Sequence, residues 1–352
     1  MQDSALIAPQ FDPTPIFDIG RSHLGSQILT AAVAHFDLFG RLANQPRAFD
    51  ALRRDLGLAE RPANVLFTAL RAMGLLATDE AGRIALTPLA AEHLVPGGKF
   101  FIGEYLSLIA DESGVRDLAE RLRTNRPAGT EKEQSGPAFI YRAGERSAMD
   151  RADLARHFTL ALSGRAKNVA PLLAQVVDLS SAKLLLDVGG GTGIYSAALL
   201  QKHPRLKAIV LDRPEVLKVA AEFAESHGVA DRLECRAGDM LSGEPLPTAD
   251  VVLLSNVLHD WDVAECRRLV SSCAQALPPL GRLLIHDVFL NDALDGPLPA
   301  ALYSIAIFSV TEGRIYSGAE YRGWLSEAGL QPDAIAPTLV HCGVLEGRKP
   351  AG

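Results

Sequence analysis

Cysteine is scarce in this sequence, which has four among 352 residues: Cys235, Cys266, Cys273 and Cys342. None forms a C-x-x-C pair, so neither a disulfide framework nor a zinc cluster is expected, and we predict buried thiols in a reducing compartment. The N-terminus lacks a basic segment followed by an apolar run, which argues against a signal peptide. The longest apolar runs, such as ALYSIAIFSV, are far shorter than the roughly 20 residues of a membrane span. These absences predict a cytoplasmic protein without a membrane partner.

Basic residues are not in excess, because 35 Lys and Arg stand against 42 Asp and Glu, for a net charge of −7. A protein that lives on phosphate contacts usually carries a basic surplus, so no nucleic-acid partner is expected. Hydrophobic residues make up 48% of the chain, enough for a large core. The length predicts two domains.

The pattern changes along the chain. The segment 24–42 has the apolar spacing of an amphipathic helix, and two more helical segments and a hairpin around residues 80–82 follow, the order of a winged helix. Residues 123–139 are rich in Gly, Pro and polar residues and predict a loop. From residue 183 short apolar strands alternate with helices, which predicts an α/β fold with a doubly wound parallel sheet. We predict domains at 1–108 and 171–352, joined by a linker and helical segment at 109–170.

A glycine loop follows the first of these strands, in the pattern Asp187-Val-Gly189-Gly-Gly191-Thr-Gly193. The dinucleotide fingerprint needs a small residue where this chain has Ile194, and the lysine of a P-loop is missing. An acid before the first glycine would repel a pyrophosphate but suits a cationic ligand. S-adenosylmethionine, which carries a sulfonium and an ammonium group, is such a ligand.

Two more acids stand at strand ends. Asp212 ends the second strand, at a distance that suits the ribose hydroxyls of a nucleoside. Asp239 and Met240 follow the third strand, where they could hold the amine and the face of an adenine. The alternative is a tight turn with solvated acids.

The sequence His259-Asp260-Trp261-Asp262 follows the fourth strand, at the edge of the sheet where ligands bind in open α/β folds. We expect His259 to face the amino end of the next helix, whose partial positive charge favours the neutral imidazole. A neutral imidazole can accept the proton of a phenol, whose pKa is about 10. Asp262 is the predicted helix cap, with Asp260 as the alternative.

With these motifs the sequence resembles the class I S-adenosylmethionine-dependent O-methyltransferases of the large dimeric type. That type includes plant caffeate and flavonoid enzymes, hydroxyindole O-methyltransferase and bacterial enzymes that methylate phenolic natural products. The resemblance is carried by LLLDVGGGTG, IVLDRPEVL, RAGDML, LSNVLHDWD, AQALPPLGRLLIHDVF and EYRGWLSEAGL. It implies a Rossmann-like sheet domain that binds S-adenosylmethionine, and a winged-helix-like first domain that serves homodimerisation. It also implies a small aromatic acceptor, in secondary metabolism.

The resemblance also implies roles for individual residues. His259 would be the general base and Asp287 the acid that orients it, while Ser255 joins the cofactor site. The family's second orienting acid falls on Ile315, with Glu312 and Glu320 nearby, so the two-acid arrangement of the plant type is in doubt. The implied or candidate acceptor contacts are Phe158, Leu162, Asp260, Trp261, Tyr303 and Phe308.

Two further expectations concern His286 and metals. Alternation along the strand should point His286 away from the face of Asp287, so we interpret His286 as structural. The acids and amide that hold a metal in small catechol-type methyltransferases are missing from the matching positions, and no metal is predicted.

Two alternatives stay open. An enzyme of the same fold could methylate nitrogen or carbon, or use S-adenosylmethionine without methyl transfer. A winged helix could also serve a DNA-binding regulator. However, the segment 61–76 that would be its recognition helix has only Arg61 and Arg71 as basic residues, few for a major-groove reader.

Overall fold

The computed structural model describes residues 3–126 and 151–351 and divides into two compact units. The sheet unit contains the described residues up to Pro15, those from 151 to Phe289 and those from Gly318 onward. The helical unit contains Ile16 to residue 126 and Leu290–Ser317. The predicted domain limits at 108 and 170 stay predictions, and segment 290–317, which we assigned to the catalytic domain, belongs to the helical unit. Residues 127–150, with most of the predicted loop, lie outside the described residues.

The α-helices of the described residues are α1 (Thr14–Arg21), α2 (His23–Thr30), α3 (Leu38–Leu42), α4 (Phe49–Asp55), α5 (Glu60–Ala72), α6 (Pro88–His93), α7 (Gly103–Leu106), α8 (Ser113–Thr124), α9 (Ala152–Val176), α10 (Ile194–Lys202), α11 (Pro214–Ser226), α12 (Val263–Ala276), α13 (Leu298–Val310) and α14 (Gly318–Glu327). A π-helical turn spans Ala31–His35, and 3₁₀ turns span Ser107–Ile109 and Leu258–Asp260. None of the helices in 3–126 and 151–351 is both long and apolar enough to cross a membrane.

The strands are β1 (Leu76–Thr78), β2 (Ile84–Leu86), β3 (Leu184–Val188), β4 (Lys207–Asp212), β5 (Leu233–Ala237), β6 (Val251–Ser255), β7 (Arg282–Val288), β8 (Gln331–Pro332), β9 (Ala336–Pro337) and β10 (Cys342–Arg348).

The large sheet confirms the predicted α/β class. Its order is β5-β4-β3-β6-β7-β10-β8, and the pairs from β5 to β7 are parallel. The central strands are buried along nearly their whole length, because helices cover both faces of such a sheet. This packing brings the carboxyl ends of β3, β4, β6 and β7 to one edge, where the candidate site residues begin.

Strand β10 pairs antiparallel with β7, and the sequence patterns did not predict it. Gly343 and Gly347 interrupt its apolar run, and glycine is a poor strand former. Close packing favours glycine at both positions, because a Cβ at Gly343 would lie 2.7 Å from the Ile335 side chain and one at Gly347 would lie 2.7 Å from the Leu325 side chain.

In the helical unit, α4, α5 and the β1–β2 hairpin follow one another in the predicted order. The Asp79 carboxylate closes the hairpin turn by accepting the N–H groups of Ala81 and Arg83 at 3.0 and 2.8 Å. Gly82 lies in the turn at φ +74°. The core of this unit includes Phe39, Phe67, Ile305 and Phe308, the last two from α13.

The segment 24–42 is not the single helix that its spacing predicts. Helix α2 passes into the π-helical turn, and α3 begins only after Asp37, which has a left-handed backbone (φ 46°). Aspartate tolerates this conformation better than most residues. The break lets both Phe36 and Leu38 bury their side chains, an arrangement that sequence periodicity does not reveal.

The cysteines also differ from expectation in one position. All four are free thiols, and three are buried as predicted, but Cys235 is exposed. It lies on β5, an edge strand of which only Leu233 is buried, so the prediction of burial was wrong there.

Candidate active site

The glycine loop begins where β3 ends and leads into α10. Gly189, Gly191 and Gly193 have φ values of 67°, 58° and 68°, which are costly for any residue with a Cβ. The N–H of Gly189 donates to the Leu211 carbonyl and that of Gly193 to the Gly190 carbonyl, both at 2.8 Å. A Cβ placed on Gly191 would meet nothing within 4 Å. The loop therefore borders open space, as a ligand cradle must.

Asp187 lies beneath this loop and is fully buried. Its Oδ2 accepts a hydrogen bond from the Ser196 hydroxyl at 2.6 Å, whereas Oδ1 has no hydrogen-bond partner among the described residues. Burial, opposed by the Ser196 hydrogen bond, raises the pKa of Asp187 to about 7. A buried carboxylate oxygen without a donor suits a cationic group. The site therefore fits a ligand that carries an ammonium group.

Asp212 ties the end of β4 to the glycine loop. Its carboxylate accepts the N–H groups of Gly191 at 2.8 Å and Arg213 at 2.7 Å. Burial raises the pKa of Asp212, and these two hydrogen bonds oppose that rise. The carboxylate thus stands at the glycine loop, and its predicted contact with ribose hydroxyls stays a prediction.

Met240 lies at the other side of the loop. A Cβ on Gly189 would be 3.6 Å from the Met240 sulfur and 3.0 Å from Val257. Asp239 is exposed, and its carboxylate accepts the Leu241 N–H at 2.9 Å. The apolar half of the predicted adenine site thus borders the loop, and the acidic half shapes the turn beside it.

Ser255, at the end of β6, is hydrogen-bonded to His286 Nδ1 at 2.8 Å. The Nε2 atom of His286 is 3.2 Å from the Thr338 hydroxyl. Burial, together with the charge of Arg165, lowers the pKa of His286 to about 3, so this imidazole is neutral. His286 and Asp287 contact different partners, as the strand alternation predicts.

His259 and Asp287 form a buried pair. His259 lies in the 3₁₀ turn Leu258–Asp260 and Asp287 near the end of β7, and their exposed fractions are 3% and 1%. His259 Nδ1 is 2.6 Å from Asp287 Oδ1, which also accepts the Val288 N–H at 2.8 Å. The Nε2 atom of His259 is 3.6 Å from Asp260 Oδ1. One imidazole nitrogen is therefore held by a carboxylate, and the other stands beside a second carboxylate.

The charges around His259 reverse one expectation. Burial lowers the pKa of His259, but Asp287 and Asp260 raise it by more, so the pKa lies above its ordinary value. The prediction that a helix end favours the neutral imidazole was wrong in direction, because two nearby carboxylates outweigh a partial helix charge. His259 in turn holds the pKa of Asp287 below its usual range, against the effect of burial.

Helix α12 begins as predicted after Asp262, whose carboxylate accepts the Val263 N–H at 2.7 Å. This confirms Asp262 as the cap and leaves Asp260 available to the site.

Sequence reasoning missed two residues near this pair, Tyr321 and Arg165. The Tyr321 hydroxyl donates to Asp287 Oδ2 at 3.0 Å. The Arg165 guanidinium donates to Asn256 Oδ1 at 2.6 Å and to Cys342 Sγ at 2.7 Å, and its charge lowers the pKa of His259. Tyr321 belongs to an apolar helical pattern and Arg165 to an amphipathic one, so neither carries a sequence signal for the site.

The candidate acceptor contacts are dispersed. On α9, Phe158 is half-buried and Leu162 is 60% exposed. Trp261, two positions after His259 in the sequence, is buried. Tyr303 and Phe308 lie in the helical unit. The Arg21 guanidinium covers the Tyr303 ring at 3.9 Å, and Phe308 is fully buried in the core with Arg61 over its ring. Phe308 thus presents no surface to a ligand, and we do not retain it as an acceptor contact.

Ile315 also lies in the helical unit. Its side chain is fully buried and its N–H donates to the Ser304 hydroxyl at 3.2 Å. Across residues 3–126 and 151–351, no group of three or more His, Cys, Asp or Glu side chains is arranged to hold a metal ion.

Three features define a methyltransferase of Rossmann-like fold. The parallel sheet has an antiparallel strand, β10, beside β7; a glycine loop follows the central strand β3; and an acid, Asp212, ends the neighbouring strand β4. A model of the O-methyltransferase domain matches residues 116–331, more than half of the chain. The chain therefore belongs to the O-methyltransferase family.

The relatives agree. The chain is 36% identical to a 3-hydroxy-5-methyl-1-naphthoate 3-O-methyltransferase of Streptomyces sahachiroi, over 90% of this chain and 89% of the relative. It is 32% identical to an L-tyrosine C(3)-methyltransferase of Streptomyces lavendulae, over 88% and 84%. The crystal structure of an O-methyltransferase family 2 protein from Planctomyces limnophilus, in complex with apigenin, is 48% identical over 99% of both chains, with a TM-score of 0.90. The predicted family, enzyme class and S-adenosylmethionine cofactor are thus confirmed.

Proposed function

We propose that this enzyme methylates a hydroxyl group of a small aromatic acceptor, with His259 as the general base. The observation that carries the proposal is the 2.6 Å contact between His259 Nδ1 and Asp287, which directs the other imidazole nitrogen toward Asp260. The relatives named above support an aromatic acceptor, since one acts on a hydroxynaphthoate and another is solved with the flavonoid apigenin.

The cofactor site would consist of the glycine loop, Asp187, Asp212 and Met240, with Asp239 and Ser255 at its margins. S-adenosylmethionine, when bound, supplies a methyl group on an already activated sulfonium leaving group. Asp187 would pair with the ammonium group, because its Oδ1 lacks a donor within the described chain. Asp212 would accept from ribose hydroxyls through the lone pairs that its backbone hydrogen bonds leave over.

The protein's chemical task is to position the acceptor and remove its proton. Asp287 holds the proton of His259 on Nδ1, so the Nε2 lone pair can take the acceptor's proton. Asp287 and Asp260 then stabilise the imidazolium that forms, which is the same interaction that raises the pKa of His259. Asp260 also stands where an acceptor hydroxyl would approach Nε2.

The acceptor itself would contact Phe158, Leu162 and Trp261 of the sheet unit, while the role of Tyr303 stays a prediction from the sequence. Apolar and aromatic walls with few polar groups are typical of pockets for small aromatic ligands. We place the enzyme in cytoplasmic secondary metabolism on the strength of its bacterial biosynthetic relatives.

We also propose that the enzyme is a homodimer. Helix α2 buries Leu24 and Ile28 in the core of its own unit, so its apolar face is covered within the chain. Several apolar side chains of this unit are exposed, on α1 and along residues 100–108: Ile16, Ile19, Phe100, Ile102, Tyr105 and Leu108. Exposed apolar surface of this kind supports association with a second copy.

The general base is tested by His259→Ala, assayed with labelled methyl donor on flavonoids and hydroxynaphthoates. Loss of the base should lower kcat/KM by roughly 10²–10⁴-fold while leaving S-adenosylhomocysteine binding nearly intact. In the wild type, activity should rise with pH through a pKa above about 6.5, because only neutral His259 accepts a proton. The loss in the variant should shrink toward the pKa of the acceptor, which then ionises without help.

His23→Ala, which removes an exposed imidazole of the helical unit, is the control and should keep wild-type activity. Near wild-type turnover by His259→Ala across neutral pH would show that positioning alone suffices and that the assignment of the base is wrong.

A second candidate is methylation at carbon, favoured by the relative that methylates tyrosine at C3. A phenolate directs electrophiles to its ring as well as to its oxygen, so the same base would serve. NMR of the product distinguishes a methoxy group from a ring methyl group, and a ring methyl group would replace the proposal of O-methylation.

A further inference from the structure

Tyr321 is a fully buried residue of α14. Its ring packs edge-to-face against Phe289 and Trp324, with centroid distances of 5.3 and 5.2 Å. Two aromatic neighbours fix the plane of the ring, so the position of its hydroxyl is fixed as well. That hydroxyl donates to Asp287 Oδ2 at 3.0 Å.

Both oxygens of Asp287 are therefore engaged. Oδ1 accepts from His259 Nδ1 and from the Val288 N–H, and Oδ2 accepts from Tyr321. A carboxylate held at both oxygens cannot rotate about its Cβ–Cγ bond without losing a buried hydrogen bond. The orientation of the His259 ring follows from that of the carboxylate.

We propose that Tyr321 is a positioning residue that takes the place of a second orienting carboxylate, and that it tunes the basicity of His259 through Asp287. The inference rests on the proposed role of His259 as the base. The position where the resemblance expects the second acid holds Ile315, whose side chain bears no polar group.

The chemistry of the two devices differs. A second carboxylate would add a negative charge near the imidazole and strengthen its hold on the proton. A phenol hydroxyl adds no charge, and by donating to Asp287 it withdraws charge from the oxygen atoms that face His259. The tyrosine therefore gives orientation while keeping the imidazole a weaker base.

The other charges that face His259 are Asp287 on β7, Asp260 in its own 3₁₀ turn and Arg165 on α9. Asp260 acts in the same direction as Asp287, and Arg165 acts against them. Tyr321 donates its hydrogen bond to Asp287 and carries no charge of its own, so its effect on His259 should be separable from those of Asp260 and Arg165.

The test is Tyr321→Phe in the full chain, which keeps the ring and removes the hydroxyl. Titration of His259 by NMR, with histidine labelled at Cε1 and His259→Ala to assign its signal, should show a pKa about 0.5–1 unit higher than in the wild type. The rising limb of kcat/KM should move by the same amount, with a loss of about 3–10-fold at pH 7 and a smaller loss above the limb. A merely structural role would lower activity equally at every pH.

Tyr316→Phe is the matched control. It removes the hydroxyl of another fully buried tyrosine, in the helical unit, and should leave the titration of His259 unchanged. If Tyr321→Phe does not fold, 3,5-difluorotyrosine placed at 321 gives the opposite perturbation. Its stronger donor should lower the pKa of His259.

An unchanged His259 titration in either the phenylalanine or the fluorinated variant would overturn the proposal. The titration needs no turnover, so it distinguishes the two claims. A shifted titration in an enzyme that methylates no hydroxyl would keep Tyr321 as a tuning residue and reject the proposed function.

Discussion

Asp187 and Asp287 are both fully buried, but the pKa values of their carboxyl groups are shifted in opposite directions. Burial raises the pKa of both. Asp287 faces an imidazole and accepts three hydrogen bonds, so its pKa ends below the ordinary value. Asp187 has one hydroxyl on one oxygen, and its pKa is about 7. The hydrogen bonds of the fold thus satisfy Asp287, whereas Asp187 Oδ1 has no donor among the described residues and is left for the proposed ammonium group.

This difference predicts that cofactor binding releases a proton. Because the pKa of Asp187 is about 7, its carboxyl group carries a proton in part of the ligand-free molecules at neutral pH, and an ammonium group beside it favours the carboxylate. Calorimetry of S-adenosylhomocysteine binding, in buffers of different ionisation enthalpy, should show net release of a fraction of a proton that grows as the pH is lowered from about 8 to about 6. Asp187→Asn should remove that release and weaken binding.

The same shift predicts the pH dependence of stability. In the folded protein Asp187 keeps its proton up to about pH 7, whereas in the unfolded chain it keeps the proton only up to about pH 3.8. Between these two pH values the unfolded state therefore binds fewer protons than the folded state. The ligand-free protein should therefore lose stability from this group as pH rises from about 4 to 7, and Asp187→Asn should flatten that slope. Equal proton release by wild type and Asp187→Asn would contradict this account.

At this scale the sequence predicted the pairing of His259 with Asp287 and the place of Asp212 at the loop. It could not predict the raised pKa of His259 or the contact of Tyr321, because both depend on distances between residues far apart in the chain. Asp287 and Tyr321, for instance, are 34 positions apart.

At the scale of elements, the glycine loop separates two costs of a substitution. A Cβ on Gly191 would point into open space, but its backbone at φ 58° would be strained. Gly82, in the β1–β2 hairpin of the helical unit, has the same two properties at φ 74°. The two glycines therefore differ only in that the open space beside Gly191 belongs to the proposed cofactor site.

Alanine at either position should lower the free energy of unfolding by about 1–2 kcal/mol, the cost of a left-handed backbone for a residue with a Cβ. Only Gly191→Ala should also weaken S-adenosylhomocysteine, by an expected factor of about 10 or more, because its methyl group fills the cradle. Chemical denaturation and calorimetry measure the two quantities. Equal affinity in both variants would remove Gly191 from the proposed cofactor site.

The alternation of strands and helices after residue 183 was predicted from the sequence because each element carries its own period or apolar run. The break of helix 24–42 and the strand β10 were not, since both depend on tertiary packing. Asp37 adopts its conformation so that Phe36 and Leu38 are buried, and Gly343 is explained only by Ile335 beside it.

At the scale of the whole molecule, the proposed dimer rests on apolar side chains that the helical unit leaves exposed. Ile16 and Ile19 on α1 are 74% and 73% exposed, and no residue of that helix is buried. Light scattering at micromolar concentration should give twice the chain mass of 37.6 kDa. The double variant Ile16→Asp, Ile19→Asp should shift the mass to that of one chain, because charges in an apolar interface are costly.

Leu280→Asn alters an exposed leucine of the sheet unit and should remain dimeric. A wild-type mass of one chain, or an unchanged mass in the double aspartate variant, would reject this surface as the interface.

The sequence could not predict that residues 290–317 belong to the helical unit while the residues on either side of them belong to the sheet unit. The sequence showed the segment of α13 only as an apolar run, ALYSIAIFSV, and gave no sign that it joins the core of the helical unit, where Ile305 and Phe308 pack. Such long-range contacts are invisible to local patterns, whereas the sheet emerges from consecutive elements.

The chain leaves the sheet unit after Phe289 and re-enters it at Gly318. Leu290 and Ser317 form a bridge, and the Leu290 N–H donates to the Tyr316 carbonyl at 3.0 Å, so the two ends of the excursion meet. Asp287 and Tyr321 stand just outside this junction. Residues 290–317 therefore form an inserted segment whose two ends are held together, and the entropy cost of closing such a segment changes only slowly with its length. Insertions or exchanges within this segment should therefore be tolerated, while the hydrogen bonds of Asp287 within the sheet unit keep their register.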